Sequence, residues 1–166
     1  MTALLSTTLF PTLMILAGAG DALTMRIPNW LNILIALLFF PMALLTGMPV
    51  VDIGLHVAVG VGMFVLGFAL FSLGLFGGGD AKLLAAAGLW LGWPDLLNFL
   101  VVTAIAGGIL ALCVGAWSVI RFNSELQDGS IFRRFRSVKP NVPYGYAFAI
   151  GAVLSFPETW WFSAAG

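Results

Sequence analysis

Two aspartates, Asp21 and Asp80, are the residues of this sequence whose type and setting could do chemistry. Each lies at the edge of an apolar stretch, and Asp80 directly follows the run Gly77-Gly78-Gly79. Insertion scales put a charged side chain at the centre of a membrane helix at roughly 2.5–3.5 kcal/mol, which a partner or a function normally offsets. The two acids are therefore the first candidates for a functional site.

Two carboxyl groups that face one cavity can hydrolyse a peptide bond without a metal or a covalent nucleophile. Like charges held close together cannot both ionise, so the pair shares one proton. The ionised member activates a water molecule, and the protonated member polarises the scissile carbonyl. This chemistry requires that the elements carrying Asp21 and Asp80 meet, which the sequence alone does not show.

Both acids also have a structural interpretation. Asp80 could be a simple helix N-cap, since Gly-Asp before an Ala-Leu helix is good capping chemistry. Asp21 could be a solvated residue at the end of its helix. On composition alone, these interpretations stay open beside the catalytic one.

The composition predicts that hydrocarbon is the solvent for most of the chain. Of 166 residues, 61% are hydrophobic and 8% are charged, whereas soluble domains carry about 25% charged residues. The net charge is zero, so no bulk field favours nucleic acid as a partner. One cysteine, Cys113, and one histidine, His56, leave no Cys/His cluster for zinc, and we expect neither a metal nor another cofactor.

Six apolar segments predict an all-α polytopic membrane protein with about six transmembrane helices in a single membrane-embedded domain, residues 1–166. The segments run over about 4–23, 30–45, 53–76, 81–93, 96–120 and 144–162. The hydrocarbon core is ~30 Å thick and needs about 20 residues to cross, so the fourth helix is short. Asp80 at its start is therefore expected at membrane depth and not at a freely solvated surface.

The three glycines before Asp80 are poor helix formers. Irregular backbone at membrane depth is tolerated where it is buried in protein or lines a wet cavity. We therefore expect residues 77–79 to form a non-helical wall of a polar cleft beside Asp80.

The basic residues predict the orientation. Under the six-segment interpretation, Arg26, Lys82 and the five others between residues 121 and 139 fall on one side of the membrane. Lys and Arg concentrate in cytoplasmic loops, so this side is predicted to be cytoplasmic, with both termini outside. The tryptophans near the predicted helix ends are expected to be interfacial anchors. These tryptophans are Trp30, Trp90, Trp93, Trp160 and Trp161.

The residues around both aspartates resemble those of the type IV prepilin peptidases. Gly77-Gly78-Gly79-Asp80 matches the GxGD signature of that family, and Asp21 followed by Arg26-Ile27-Pro28-Asn29 resembles its first aspartate segment. The run Pro143-Tyr144-Gly145-Tyr146-Ala147 resembles its last-helix motif. GxGD alone is a weak signal, but three motifs in the family's order on a matching membrane topology are a specific one.

The resemblance implies an aspartic endopeptidase of the bacterial inner membrane, with Asp21 and Asp80 as the catalytic pair. Such enzymes cleave pilin precursors after a glycine, between a basic leader and an apolar helix, at the cytoplasmic membrane face. Lys82 would meet the substrate or shape the site, or serve as a snorkelling anchor. The full set of site-shaping or substrate-binding candidates is Gly77, Gly78, Gly79, Lys82, Pro143, Tyr144 and Gly145.

Longer members of that family carry an N-terminal cytoplasmic insert with paired CxxC motifs and also methylate the new pilin N-terminus. Here the first apolar segment starts at once and Cys113 is the single cysteine. We therefore expect peptidase activity without the methyltransferase part. The short form resembles the enzymes of tight-adherence (Flp-type) pili and, less closely, archaeal preflagellin peptidases.

Two other functions stay open. A small transporter could use the two acids to bind a cation or relay protons, although no acid lies at predicted mid-depth and no clear inverted repeat exists. A presenilin-like intramembrane protease also shares GxGD and would cut within a substrate helix. The sequence does not indicate an oligomeric state.

Overall fold

The computed structural model describes residues 2–93, 95–125 and 144–164, and these residues are helical apart from short connections. The helices are α1 (Thr2–Thr24), α2 (Asn29–Leu45), α3 (Val50–Ser72), α4 (Gly78–Leu91), α5 (Asp95–Glu125) and α6 (Tyr144–Ser155), followed by a 3₁₀ turn (Phe156–Glu158) and the one-turn helix α7 (Trp160–Ser163). Most of the predicted basic loop, and the site candidate Pro143, lie outside the described residues.

Three helices are long and apolar enough to cross a membrane, over Leu4–Thr24, Val50–Ser72 and Asp95–Ser118. This confirms the all-α class with membrane-length helices, while the total of six spans stays a prediction. Helix α4 has 14 residues, or ~21 Å at 1.5 Å per residue. The predicted short fourth helix is therefore confirmed.

The sixth predicted segment is not one continuous helix. Helix α6 ends at Ser155 after 12 residues, and Pro157 lies in the 3₁₀ turn that follows. Proline has no backbone N–H, and its ring disfavours helical backbone at the preceding residue. The chain therefore turns before the short helix α7.

Helix α4 forms the centre of the structure. Ten of its 14 residues are buried, and it packs against α3 on one side and α2 on the other. Helix α6 packs in turn between α1 and α5. In the most apolar stretches of α3 and α5, only 11% of the residues are buried. Most of the surface of these two helices is therefore available to lipid.

An aromatic cluster fills the core around Trp90 and Trp161. The Trp90 indole N–H donates to the carbonyl of Ile35 at 2.8 Å, and that of Trp161 donates to the Trp90 carbonyl at 2.6 Å. That carbonyl is one of the last four of α4, which lack partners within the helix. The prediction that Trp90 and Trp161 are interfacial anchors is wrong because both are fully buried, whereas Trp30 and Trp93 are exposed.

Glycines allow α3 to approach α4 closely. A Cβ atom at Gly67 would lie 2.9 Å from both Cα and the carbonyl oxygen of Ala81, and one at Gly60 would lie 3.1 Å from Leu89 Cβ. Small residues are typical of such contacts between membrane helices. Gly60 and Gly67 therefore serve helix packing, whereas Gly74 lies in the turn after α3 with φ +71°.

We expect Gly67→Ala to destabilise the protein because the new methyl group would collide with the backbone of α4. Overpacking of this kind costs roughly 1–3 kcal/mol. The matched control is Gly62→Ala in the same helix, where a Cβ would meet nothing within 4 Å. Thermal unfolding in detergent should show a lower midpoint for Gly67→Ala than for Gly62→Ala, and equal midpoints would contradict this packing.

Candidate active site

Asp21 lies near the end of α1 with its side chain buried, 7% exposed. Its Oδ2 accepts a hydrogen bond of 2.9 Å from the backbone N–H of Gly145. Gly145 is the second residue of α6, and the first four N–H groups of a helix have no partner within it. Asp21 therefore satisfies a free donor at the positive end of α6 and is not the solvated helix-end residue of the structural interpretation.

Small residues bring α1 and α6 close enough for this contact. A Cβ atom at Gly145 would lie 2.7 Å from Asp21 Cβ. A Cβ atom at Gly18, one turn earlier in α1, would lie 2.8 Å from the Gly145 carbonyl oxygen and 2.9 Å from Ala149 Cβ. The predicted site-shaping role of Gly145 thus has a physical basis, since a larger residue would push Asp21 away.

Asp80 is the third residue of α4 and is 8% exposed. Its Oδ2 accepts a hydrogen bond of 3.2 Å from the backbone N–H of Gly77. Gly77 precedes the helix in an extended conformation, so the N-cap position belongs to Gly77. The structure therefore confirms that Asp80 is not a freely solvated surface residue.

The prediction that residues 77–79 form a non-helical wall is wrong for two of the three glycines. Gly78 and Gly79 are the first two residues of α4. Glycine destabilises a helix mainly in its middle, through lost backbone entropy, and these two residues lie in the first turn. A Cβ atom at Gly79 would lie 3.0 Å from Ile27 Cβ, so Gly79 serves close packing, whereas one at Gly78 would make ordinary contact with the Phe71 ring at 3.5 Å.

The start of α2 is tied to α4 by two hydrogen bonds. Asn32 Nδ2 donates to the Gly79 carbonyl at 3.3 Å, and Lys82 Nζ donates to Asn29 Oδ1 at 2.7 Å. Lys82 is exposed, and its described hydrogen bond is to the first residue of α2. The sequence did not lead us to predict a role for Asn32. The available signal was a side-chain amide within the apolar run of α2.

Tyr144 and His56 have packing roles in the structure. The Tyr144 ring stacks on Phe76 with centroids 6.0 Å apart. His56 Nδ1 lies 2.8 Å from the Leu89 carbonyl oxygen, and its ring stacks on Phe39, as expected for a satisfied helix residue. Across residues 2–93, 95–125 and 144–164, no three His, Cys, Asp or Glu side chains are grouped as a metal site.

The fold places Asp21 and Asp80, from helices that are distant in sequence, within electrostatic range of each other. Each carboxyl group accepts a hydrogen bond from one backbone N–H. Such proximity is a prerequisite for hydrolysis by two carboxyl groups that share a proton.

Known protein families include one to which this chain is similar. The family model of the type IV leader peptidase family matches residues 8–112, more than half of the chain, and this range includes both aspartates. The chain belongs to the type IV leader peptidase family. The resemblance stated from the three motifs is thereby confirmed.

Curated relatives within this peptidase family include the prepilin leader peptidase/N-methyltransferases of Burkholderia pseudomallei strains 1026b and K96243. Each is 44% identical to the chain over 54 residues, which are 32% of this chain and 17% of the relative. The match therefore spans less than a fifth of those relatives. No solved structure matches the chain significantly.

Cysteines at positions 21 and 80 should be joined by a short bifunctional thiol reagent. The test uses Asp21→Cys with Asp80→Cys in a Cys113→Ser background, because Cys113 is exposed. The control pairs Asp21→Cys with Asp52→Cys in the first turn of α3, which the 17-residue α2 separates from the end of α1 by ~25 Å. A mass shift for the control pair alone would contradict the described site.

Proposed function

We propose that this protein is an aspartic prepilin peptidase in which Asp21 and Asp80 form the catalytic pair. The observation that carries the proposal is that these two buried carboxyl groups, one from the end of α1 and one from the start of α4, lie within electrostatic range of each other. Membership of the type IV leader peptidase family supports a pilin precursor as substrate.

The mechanism follows from one shared proton. The ionised carboxylate removes a proton from a water molecule, and the resulting hydroxide attacks the carbonyl carbon of the glycine before the scissile bond. The protonated carboxyl group hydrogen-bonds to the carbonyl oxygen and stabilises the charge that develops there. The carboxyl group that took the proton from water then gives it to the leaving amine, and the C–N bond breaks to release the leader and the new N-terminus.

The backbone contacts of the two aspartates hold them ready for this reaction. The described hydrogen bonds occupy Oδ2 of each carboxyl group, so each Oδ1 is left for water and substrate. Both donors are main-chain N–H groups at helix starts, so within the described part of the chain the pair is positioned without a basic side chain.

The location, the orientation and the substrate class that we propose rest on the sequence. We place the chain in the bacterial inner membrane as a single unit with six spans, both termini outside and the active site at the cytoplasmic face. The proposed substrates are Flp-type pilin precursors cut after a glycine. Support comes from the basic residues on one predicted side and from the lack of the paired CxxC motifs in the sequence.

The position of the acids favours a peptidase that cuts near the membrane surface. Asp21 lies in the last turn of α1 and Asp80 in the first turn of α4, so neither is at the middle of its helix. A transporter that moves ions or protons is expected to carry acids nearer the bilayer midplane. A cut mapped inside the apolar helix of the substrate would instead favour the presenilin-like alternative.

Asp21→Asn and Asp80→Asn should each reduce cleavage of a purified pilin precursor by at least ~100-fold, since general acid–base groups contribute about 10²–10⁴-fold. Mass spectrometry of the products should place the wild-type cut after a glycine. Asp52→Asn, a change of the same kind in the first turn of α3, should leave the rate unchanged. Normal cleavage by either site variant would refute the catalytic pair.

Gly145→Ala should lower kcat because the added methyl group would lie 2.7 Å from Asp21 Cβ and displace that carboxyl group. A 1 Å misplacement of a reacting group can cost on the order of 100-fold. The control is Gly20→Ala, next to Asp21 in α1, where a Cβ meets nothing within 4 Å. Equal rates for the two folded variants would argue against the Gly145–Asp21 contact.

A further inference from the structure

The two backbone N–H groups that hold the aspartates are placed in the chain in the same way. The N–H of Gly77 belongs to the peptide unit that begins at Phe76. The N–H of Gly145 belongs to the peptide unit that begins at Tyr144. A peptide unit is planar, and glycine restrains it little because its backbone is the most permissive. The direction of both donors therefore depends on how firmly the two aromatic residues are held.

The rings of these two aromatic residues pack against each other. The ring centroids of Phe76 and Tyr144 lie 6.0 Å apart with 25° between the ring planes, which is a stacked arrangement. Both side chains are half-buried and pack against the hydrophobic core. Phe76 belongs to the connection between α3 and α4, and Tyr144 is the first residue of α6. The stack thus joins the two chain segments that supply the donors.

Neighbouring groups hold each ring of the stack in place. Phe148, one turn after Tyr144 in α6, is buried and meets the Phe76 ring edge to face with centroids 6.2 Å apart. A Cβ atom at Gly107 would lie 3.8 Å from the Tyr144 ring, so this ring lies against α5. The preceding residue Leu75 is 61% exposed. Phe76 is therefore the side chain that anchors the end of the α3–α4 connection to the core.

Helices α1 and α4, which carry the aspartates, pack little on each other. Their described aromatic contact, between Phe10 and Trp90, lies far along both helices from the site. At the site, the Asp21 carboxyl group is bonded to the start of α6, and the stack joins the start of α6 to the segment before α4. The position of one carboxyl group relative to the other therefore depends on this stack.

We propose that the Phe76–Tyr144 stack is a positioning element of the active site, which holds the two donor N–H groups at a fixed separation and thereby sets the distance between the two carboxyl groups. This inference rests on the proposed function. The two rings act through the glycines that follow them and not on the substrate. The stack requires two aromatic rings, whereas the hydroxyl group of Tyr144 is dispensable for it.

The separation of the carboxyl groups determines the pH dependence of cleavage. Under the proposed function, the active form of the pair holds one proton, so the rate follows a bell-shaped pH profile. Its two limbs are separated by the interaction between the acids, and that interaction weakens as their distance grows. Among the described residues, the charge of Asp21 acts on Asp80. A loosened stack should therefore narrow the bell.

Tyr144→Leu removes the stack and keeps an apolar side chain. We expect kcat for cleavage of a purified pilin precursor to fall about tenfold, since a 1 Å misplacement of a reacting group can cost on the order of 100-fold. KM should stay unchanged and the pH profile should be narrower than that of the wild type. Tyr144→Phe keeps the ring and should restore both kcat and the width of the profile. A Tyr144→Phe variant as impaired as Tyr144→Leu would overturn the proposal.

The matched control is Phe99→Leu, which removes a second stack of the same geometry. The Phe99 and Phe148 rings lie 6.0 Å apart with 23° between their planes, and neither residue precedes a donor to an aspartate. Phe99 is fully buried, so its loss should lower the thermal unfolding midpoint in detergent at least as much as Tyr144→Leu does. The pH profile of Phe99→Leu should keep the wild-type width. An equally narrowed profile would show that the Phe76–Tyr144 stack has no special role.

A double-mutant cycle tests whether the two rings act as one unit. Phe76→Leu should lower kcat as Tyr144→Leu does, and the double variant should be no slower than either single variant, because all three lack the same contact. Effects that multiply to about 100-fold would mean independent roles and refute the stack.

The outcomes separate the two levels of the proposal. Wild-type protein that does not cleave the precursor refutes the proposed function. Wild-type cleavage with an unchanged kcat and pH profile in Tyr144→Leu refutes the positioning role alone.

Discussion

A carboxyl group buried within a membrane protein must find hydrogen-bond donors inside the protein because water is scarce there. Asp21 and Asp80 meet this requirement with backbone N–H groups, from Gly145 at the start of α6 and Gly77 just before α4. These are the donors that a helix start leaves free. The architecture of the site therefore depends on bringing the start of α6 to Asp21, whereas Asp80 accepts from the start of its own helix.

This requirement explains why glycine is concentrated around the site. Gly18 and Gly145 let α1 and α6 approach until the Asp21 carboxyl group reaches a main-chain N–H, and Gly79 lets the α1–α2 turn pack on α4. Side-chain hydrogen bonds of Asn32 and Lys82 then tie the start of α2 to α4. The small residues thus set the positions of the reactive groups as well as the packing of the bundle.

The short central helix α4 also contributes to the position of Asp80. Its 14 residues are buried along most of their length and joined to the aromatic cluster around Trp90 at the far end. A rigid central helix of this kind fixes the position of Asp80 relative to α2 and α3. The longer helices α3 and α5 present broad apolar faces and hold the assembly in lipid.

The sequence by itself determined the helical membrane class, the short fourth helix and the choice of Asp21 and Asp80, because apolar segments and rare charges are local signals. It misjudged Trp90 and the helical state of Gly78 and Gly79, since burial and close packing depend on neighbours that are distant in the chain. Only the tertiary structure decided that Asp21 and Asp80 lie within electrostatic range and that Asn32 hydrogen-bonds to Gly79. Such encounters depend on how α1, α4 and α6 pack, which no local pattern encodes.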